Sequence, residues 1–174
     1  MATVSPVPEE LADLYRKLAD HRRQLLRMLE AMPEEHAEVH PNGEWSVKQQ
    51  LAHLCHAEEA WVDWALTVLE KPGSQVGQTR EEGQVFTREV DTADRMPLKY
   101  WVTRLKTTRA QSLRRLASAP LTPETLHRKG VHRTFGEMTV LQFLRALYRH
   151  DSMHMDQIAG RPPSFIPGQR PQTG

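Results

Sequence analysis

Apolar residues recur every three or four positions over four long stretches of the chain. The first stretch carries Leu11, Leu14, Leu18, Leu25 and Leu29, and it predicts a helix from about Pro8 to Met32, ended by Pro33. The second, from about Ser46 to Glu70, carries Val47, Leu51, Leu54, Val62, Ala65 and Leu69. Ser46 and Gln49 are spaced as a capping box at its start, and Pro72-Gly73 closes it. The third starts near Asp94, with Pro97 in its first turn, and runs to Ala119 before Pro120. The fourth starts at Thr139, with Gln142 three residues on, and ends at Gly160 as its C-cap.

The intervening segments are polar. Residues 73–93 read as a long crossover and residues 124–138 as a second loop. No segment alternates convincingly with period two, so an all-α fold is expected: a four-helix bundle with long crossover connections. Residues 1–160 make one domain in this reading, and residues 161–174, with four prolines, a C-terminal tail expected to be irregular and partly disordered.

Composition narrows the function classes. A chain of 174 residues with net charge +1 offers no broad basic surface, and its arginines, spread over all four helices, read as solvated helix faces; no nucleic-acid partner is expected. No apolar run approaches the ~20 residues of a membrane span. The N-terminal segment has neither the basic start nor the apolar block of a secretion signal, and Cys55 is the one cysteine, so a cytoplasmic, reducing setting is expected. Nine histidines are many for this length, and they direct attention to metal ligation.

His150 and His154 are four residues apart on the fourth helix, a spacing that stacks two imidazoles on one face. They flank its apolar stripe beside Phe143 and Leu147. On the second helix His53 flanks the stripe in the same way, alongside Ala57, Ala60 and Trp64, whereas His56 falls on the polar side. Three neutral imidazoles at the edge of a buried face would leave coordination positions open, as in catalytic zinc sites. Each helix also directs an ionisable residue toward the core: His21, Glu58, Arg109 and Asp151. Two readings of these stand together. One is a salt-bridge network, such as Arg109 with Asp151 or Glu58. The other gives Glu58 or Asp151 a supporting role behind the ligating histidines or an acid/base role beside the metal, and gives Arg109, His127 or His132 a role in binding an anionic cosubstrate. The four tryptophans and Cys55 read as packing, and His127 and His132 as loop residues.

Three segments together resemble the DinB-like (YfiT-like) superfamily of metal-binding four-helix bundles. They are Trp45-Ser46 leading to His53-Leu54, Gly136 leading through Thr139 into the last helix, and His150-x-x-x-His154-x-x-Gln157-Ile158. The resemblance implies one divalent metal ion, zinc or nickel first and manganese or iron as alternatives, held by His53, His150 and His154. It also implies a small-molecule substrate and a homodimer. Members of that superfamily look like hydrolases or transferases that act with low-molecular-weight thiols such as bacillithiol or mycothiol. The leading expectation is therefore a metal-dependent thiol S-transferase. A hydrolase that activates water and a non-catalytic, stress-related metal-binding protein are the alternatives.

Overall fold

The four amphipathic stretches form four long helices, each started and stopped by local chemistry; the computed structural model describes residues 8–165. Helix α1 spans Glu9–Glu30, two residues short of the expected end, and a short helix α2 (Glu34–Ala37) follows Pro33. Helix α3 spans Val47–Glu70. Its capping box is complete: the Ser46 hydroxyl accepts the Gln49 N–H at 3.1 Å, and the Gln49 side chain accepts the Ser46 N–H at 3.1 Å. The last long helix, Val140–Ile158, has the same device in Thr139 and Gln142. Its C-cap is Ala159, and Gly160 lies one residue further on with φ +67°, a left-handed conformation that glycine adopts at little cost.

The crossover read as irregular contains a further helix. Strand β1 (Gln75–Val76) leads into α4 (Arg80–Asp91), capped by Thr79 and Glu82. Helix α4 is almost wholly polar, and only Phe86 and Val90, one turn apart, pack on the core. A 3-10 turn, Ala93–Arg95, follows, and the Trp101 indole N–H donates to the Ala93 carbonyl at 3.0 Å. Helix α5 is Leu98–Ser118, with Pro97 as its N-cap residue rather than inside its first turn. Proline offers no side-chain acceptor, and the Glu34 carboxylate accepts the Leu98 N–H at 3.0 Å instead. Glu34 and Glu38 also hold the ammonium of the buried Lys48, each at 2.5 Å, which ties α2 to α3 and to the start of α5.

The second expected loop also contains structure: a short helix α6 (Pro123–Leu126), then strands β2 (Lys129–His132) and β3 (Gly136–Thr139), which lead into α7 (Val140–Ile158). The three strands form a small sheet in order, β1 parallel to β2 and β2 antiparallel to β3, with Val131 opposite Gln75 and Glu137. The all-α, four-helix-bundle expectation holds, with this small sheet as an addition that the sequence did not signal, and the reason is physical. Strand β2 turns Gly130 and His132 inward and Val131 outward, the inverse of the usual hydrophobic code. Gly130 is required there because a Cβ would lie 2.3 Å from Val68 Cγ2 and 3.0 Å from the Ser74 carbonyl.

In the bundle, α3 lies between α7 and α5, and α1 packs mainly on α7. The core falls into two apolar clusters. One holds Leu14, Leu18, Val62, Leu116 and Leu144; the other holds Leu25, Leu51, Leu54, Leu105 and Met155. Among the described residues no helix is long and apolar enough to cross a membrane. Gly130→Ala forces a methyl group into Val68 and is expected to lower stability by about 1–3 kcal/mol. Thermal unfolding of the variant beside wild type checks this, and an unchanged midpoint would show that the sheet is free to shift away from α3.

Candidate metal centre

Between the two apolar clusters lies a layer of four charges, one from each long helix. Arg22 sits between Leu18 and Leu25 on α1, Glu58 between Leu54 and Val62 on α3, Arg109 between Leu105 and Leu116 on α5, and Asp151 between Leu147 and Met155 on α7. All four side chains are buried, with 5% or less of their surface exposed. Arg22 donates to Asp151 through Nε (3.1 Å) and Nη2 (2.8 Å), to Glu58 at 2.6 Å, and to the Leu105 carbonyl at 2.8 Å. Arg109 donates to Glu58 at 2.7 and 3.1 Å, to Asp151 at 3.1 Å, and to the Leu18 carbonyl. Two cations and two anions cancel, and the bidentate guanidinium geometry gives every carboxylate oxygen a donor. Burial pulls both carboxyl groups up, but the two guanidinium groups outweigh it and hold both below their ordinary values of 4.5 and 3.8.

The layer corrects the sequence reading of α1. Arg22, not His21, carries the inward charge; His21 lies half-buried at the edge, where its Nδ1 meets the Ser152 hydroxyl at 2.6 Å. Both positions lie one turn from leucines of the stripe, and an arginine is ordinarily taken for the solvated one. The layer realises the salt-bridge network expected of Glu58, Asp151 and Arg109: every carboxylate oxygen accepts from an arginine, and Arg109 is buried among them.

Beside this layer His53 of α3 and His150 and His154 of α7 come together. His150 Nε2 lies 2.8 Å from His53 Nε2 and 3.2 Å from His154 Nε2, and the candidate ligand atoms of all three lie within 4.8 Å of one another. An ion ~2.0–2.1 Å from each nitrogen in tetrahedral geometry separates the nitrogens by roughly 3.3 Å. Three nitrogens at such distances repel unless a proton or a cation stands between them, and a single proton serves only one gap. The donor set therefore fits a divalent cation. The imidazoles are kept neutral. Burial lowers His53 to about 3 and His150 to about 4, and it carries His154 well below the ordinary 6.5. His154 is buried, whereas His53 and His150 remain partly exposed, so the cluster opens to the surface on their side.

The surroundings explain the orientations. His154 Nδ1 lies within hydrogen-bond distance of Gln50 Oε1 at 3.0 Å, whereas His53 Nδ1 is buried with no partner among the described residues. Trp45 and Phe86 wall the His53 ring, with centroids 5.2 and 5.1 Å away. Phe86 comes from α4, the helix that the polar sequence concealed. It also packs on His56 at 5.0 Å, so His56 is half-buried under α4 rather than solvated. Next to His56 a cleft of about 420 Å³ opens between α3 and α4, lined in part by Ala60, Trp64 and Val85.

Neither of the remaining candidate histidines joins the cluster. His127 is exposed and lies 3.3 Å from Glu10. His132 is buried on β2, where its Nδ1 accepts the N–H groups of Thr134 (3.0 Å) and Phe135 (3.2 Å) and its ring stacks on Trp61. Cys55 is buried and its thiol is pushed up to about 12, first by burial, which makes it packing rather than a nucleophile.

Fold and cluster together define a four-helix bundle carrying a three-histidine centre. The chain belongs to the DinB superfamily, whose family model matches residues 17–158. Among solved structures it is similar to YfiT from Bacillus subtilis, with a TM-score of 0.71 at 18% identity over 92% of this chain and 90% of that one. YfiT is described as a probable metal-dependent hydrolase with an unusual four-helix bundle topology. No curated protein matches the sequence.

Arg22→Leu leaves two buried carboxylates sharing one guanidinium. The expected loss in urea unfolding is about 3–5 kcal/mol; a loss under about 1 kcal/mol would mean that water compensates the layer. The acid response follows from the same pair. Glu58 and Asp151 bind protons less readily folded than unfolded, so their stabilisation is complete above the ordinary carboxylate values and is lost as pH falls through their lowered folded values. Circular dichroism against pH is expected to show a steeper acid transition in wild type than in a variant with Arg22→Met, Glu58→Gln, Arg109→Met and Asp151→Asn combined, which removes the two cations with the two anions.

Proposed function

We propose that the protein is a metal-dependent hydrolase and that His53, His150 and His154 hold its divalent ion. The observation that carries this is the convergence of three neutral imidazole nitrogens from two helices at an edge of the bundle. The description of YfiT supports the same reading. A divalent ion held by three imidazoles acts as a Lewis acid and lowers the pKa of a coordinated water molecule, often to near neutral. The side chains do the rest. His154 anchors the buried side of the centre, while the part-exposed His53 and His150 leave an approach for water and substrate. Trp45 and Phe86 offer flat apolar surface to the substrate beside that approach. A centre that supplied a coordinated water of near-neutral pKa would require no side-chain base of Glu58 or Asp151.

Thiol transfer ranks second. It would use the same open position to bind a thiolate, but of the residues expected to recognise an anionic thiol cosubstrate Arg109 is locked in the buried layer and His132 is buried on β2, which leaves the exposed His127. Metal content by elemental analysis is the first test. About one divalent ion per chain is expected in wild type, lost in His53→Ala and in His154→Ala while both variants stay folded. Hydrolysis of activated ester and amide substrates should follow the same pattern and be indifferent to added thiol. Turnover only with bacillithiol or mycothiol present would replace hydrolysis by thiol transfer, and a wild-type protein that takes up no zinc, nickel or manganese would refute both.

Burial also sets the pH response of the centre. Protons begin to compete with a metal for an exposed imidazole near pH 6.5, its ordinary value, but here burial makes the ligands resist protonation. Metal occupancy at a fixed chelator concentration is therefore expected to stay level through that range, with proton competition setting in below it. Chelator competition at successive pH values reads this out, and half-loss of the ion near pH 6.5 would contradict it.

A further inference from the structure

One of the three histidines is held differently from the other two. Gln50, on α3 one turn before His53, is buried, with 8% of its surface exposed. Its Nε2 donates to the backbone carbonyl of Trp45 at 3.4 Å, and its Oε1 faces His154 Nδ1 at 3.0 Å. The order of these contacts is forced. A backbone carbonyl only accepts, so the amide NH₂ must face Trp45. The amide oxygen then faces His154, so His154 Nδ1 carries the proton. It follows that His154 Nε2, the atom 3.2 Å from His150 Nε2, presents a lone pair.

We infer that Gln50 is a positioning residue of the metal centre. It locks His154 in the Nδ1–H tautomer and fixes its ring before any ion arrives. A ligand whose other nitrogen is hydrogen-bonded is more basic and better oriented than one left free. His53 Nδ1 meets no hydrogen-bond partner among the described residues, and its ring is oriented by Trp45 and Phe86 instead. The Trp45 contact adds a second duty. Gln50 links the buried ligand to the turn that carries the Trp45 indole over His53, so the ligand and the aromatic wall move together. The inference rests on the metal reading above for the word ligand, but the tautomer lock is a property of the metal-free protein.

Two measurements test it separately. Long-range ¹H–¹⁵N correlation spectra of the metal-free wild type report the His154 tautomer directly: Nδ1–H is expected, and Nε2–H overturns the lock whatever the metal does. Zinc and cobalt(II) affinities by chelator competition then compare wild type with Gln50→Leu and Gln50→Glu. The leucine variant is expected to bind roughly 10- to 100-fold more weakly, with its thermal midpoint reported alongside. The glutamate variant keeps an acceptor for the Nδ1–H and is expected to recover most of the affinity, as well as the cobalt(II) absorption spectrum of wild type. Unchanged affinity in the leucine variant overturns the proposal, as does a glutamate variant no better than leucine. A wild type that shows the Nδ1–H tautomer but binds neither ion overturns the metal reading and leaves the lock standing.

Discussion

The constraint on which the structure depends is charge neutrality inside the bundle. Arg22, Glu58, Arg109 and Asp151 contribute one charge from each long helix, and none is tolerable alone. An unpaired ion there would cost several kcal/mol. The four helices are therefore fixed not only in contact but in height. A slip of any one of them by a turn would put an arginine or a carboxylate among the leucines of a neighbouring cluster. Apolar stripes by themselves permit such slips, since one leucine replaces another at little cost. The two arginines also donate to the Leu18 and Leu105 carbonyls, which binds the layer to the backbone of α1 and α5 as well as to side chains.

The metal centre inherits its accuracy from this layer. Asp151 follows His150 directly, and Glu58 lies just over one turn after His53, so the two helices that bring the imidazoles together are aligned by the charges next to them. The same proximity accounts for the division of labour among the ionisable groups. The carboxylates stay charged because arginines hold them, and the histidines stay neutral because burial outweighs those carboxylates.

Much of this was legible in the chain. The long helices, their caps at Ser46 and Thr139, and the flanking positions of His53, His150 and His154 follow from spacing alone, because a period of 3.6 residues fixes which side chains share a face. What escaped has identifiable causes. Arg22 was hidden by the habit of arginine to lie at the surface. Helix α4 was hidden because two apolar residues, Phe86 and Val90, are too few to show a period. Strand β2 was hidden because its inward positions hold glycine and histidine while valine faces out. The roles of Glu58, Asp151 and Arg109 could not be decided from the sequence, since a core-facing charge reads alike whether its partner is another side chain or a substrate.

The three imidazoles come from α3 and α7 only, whereas the layer that aligns the bundle spans all four long helices. Shape and cargo are thus separable. The chain reaches its architecture on its own charges and leucines, unlike small zinc domains, for which the ion is the missing piece of the core. An ion held by three histidines of two helices would then be an addition to the bundle rather than the piece that completes its core.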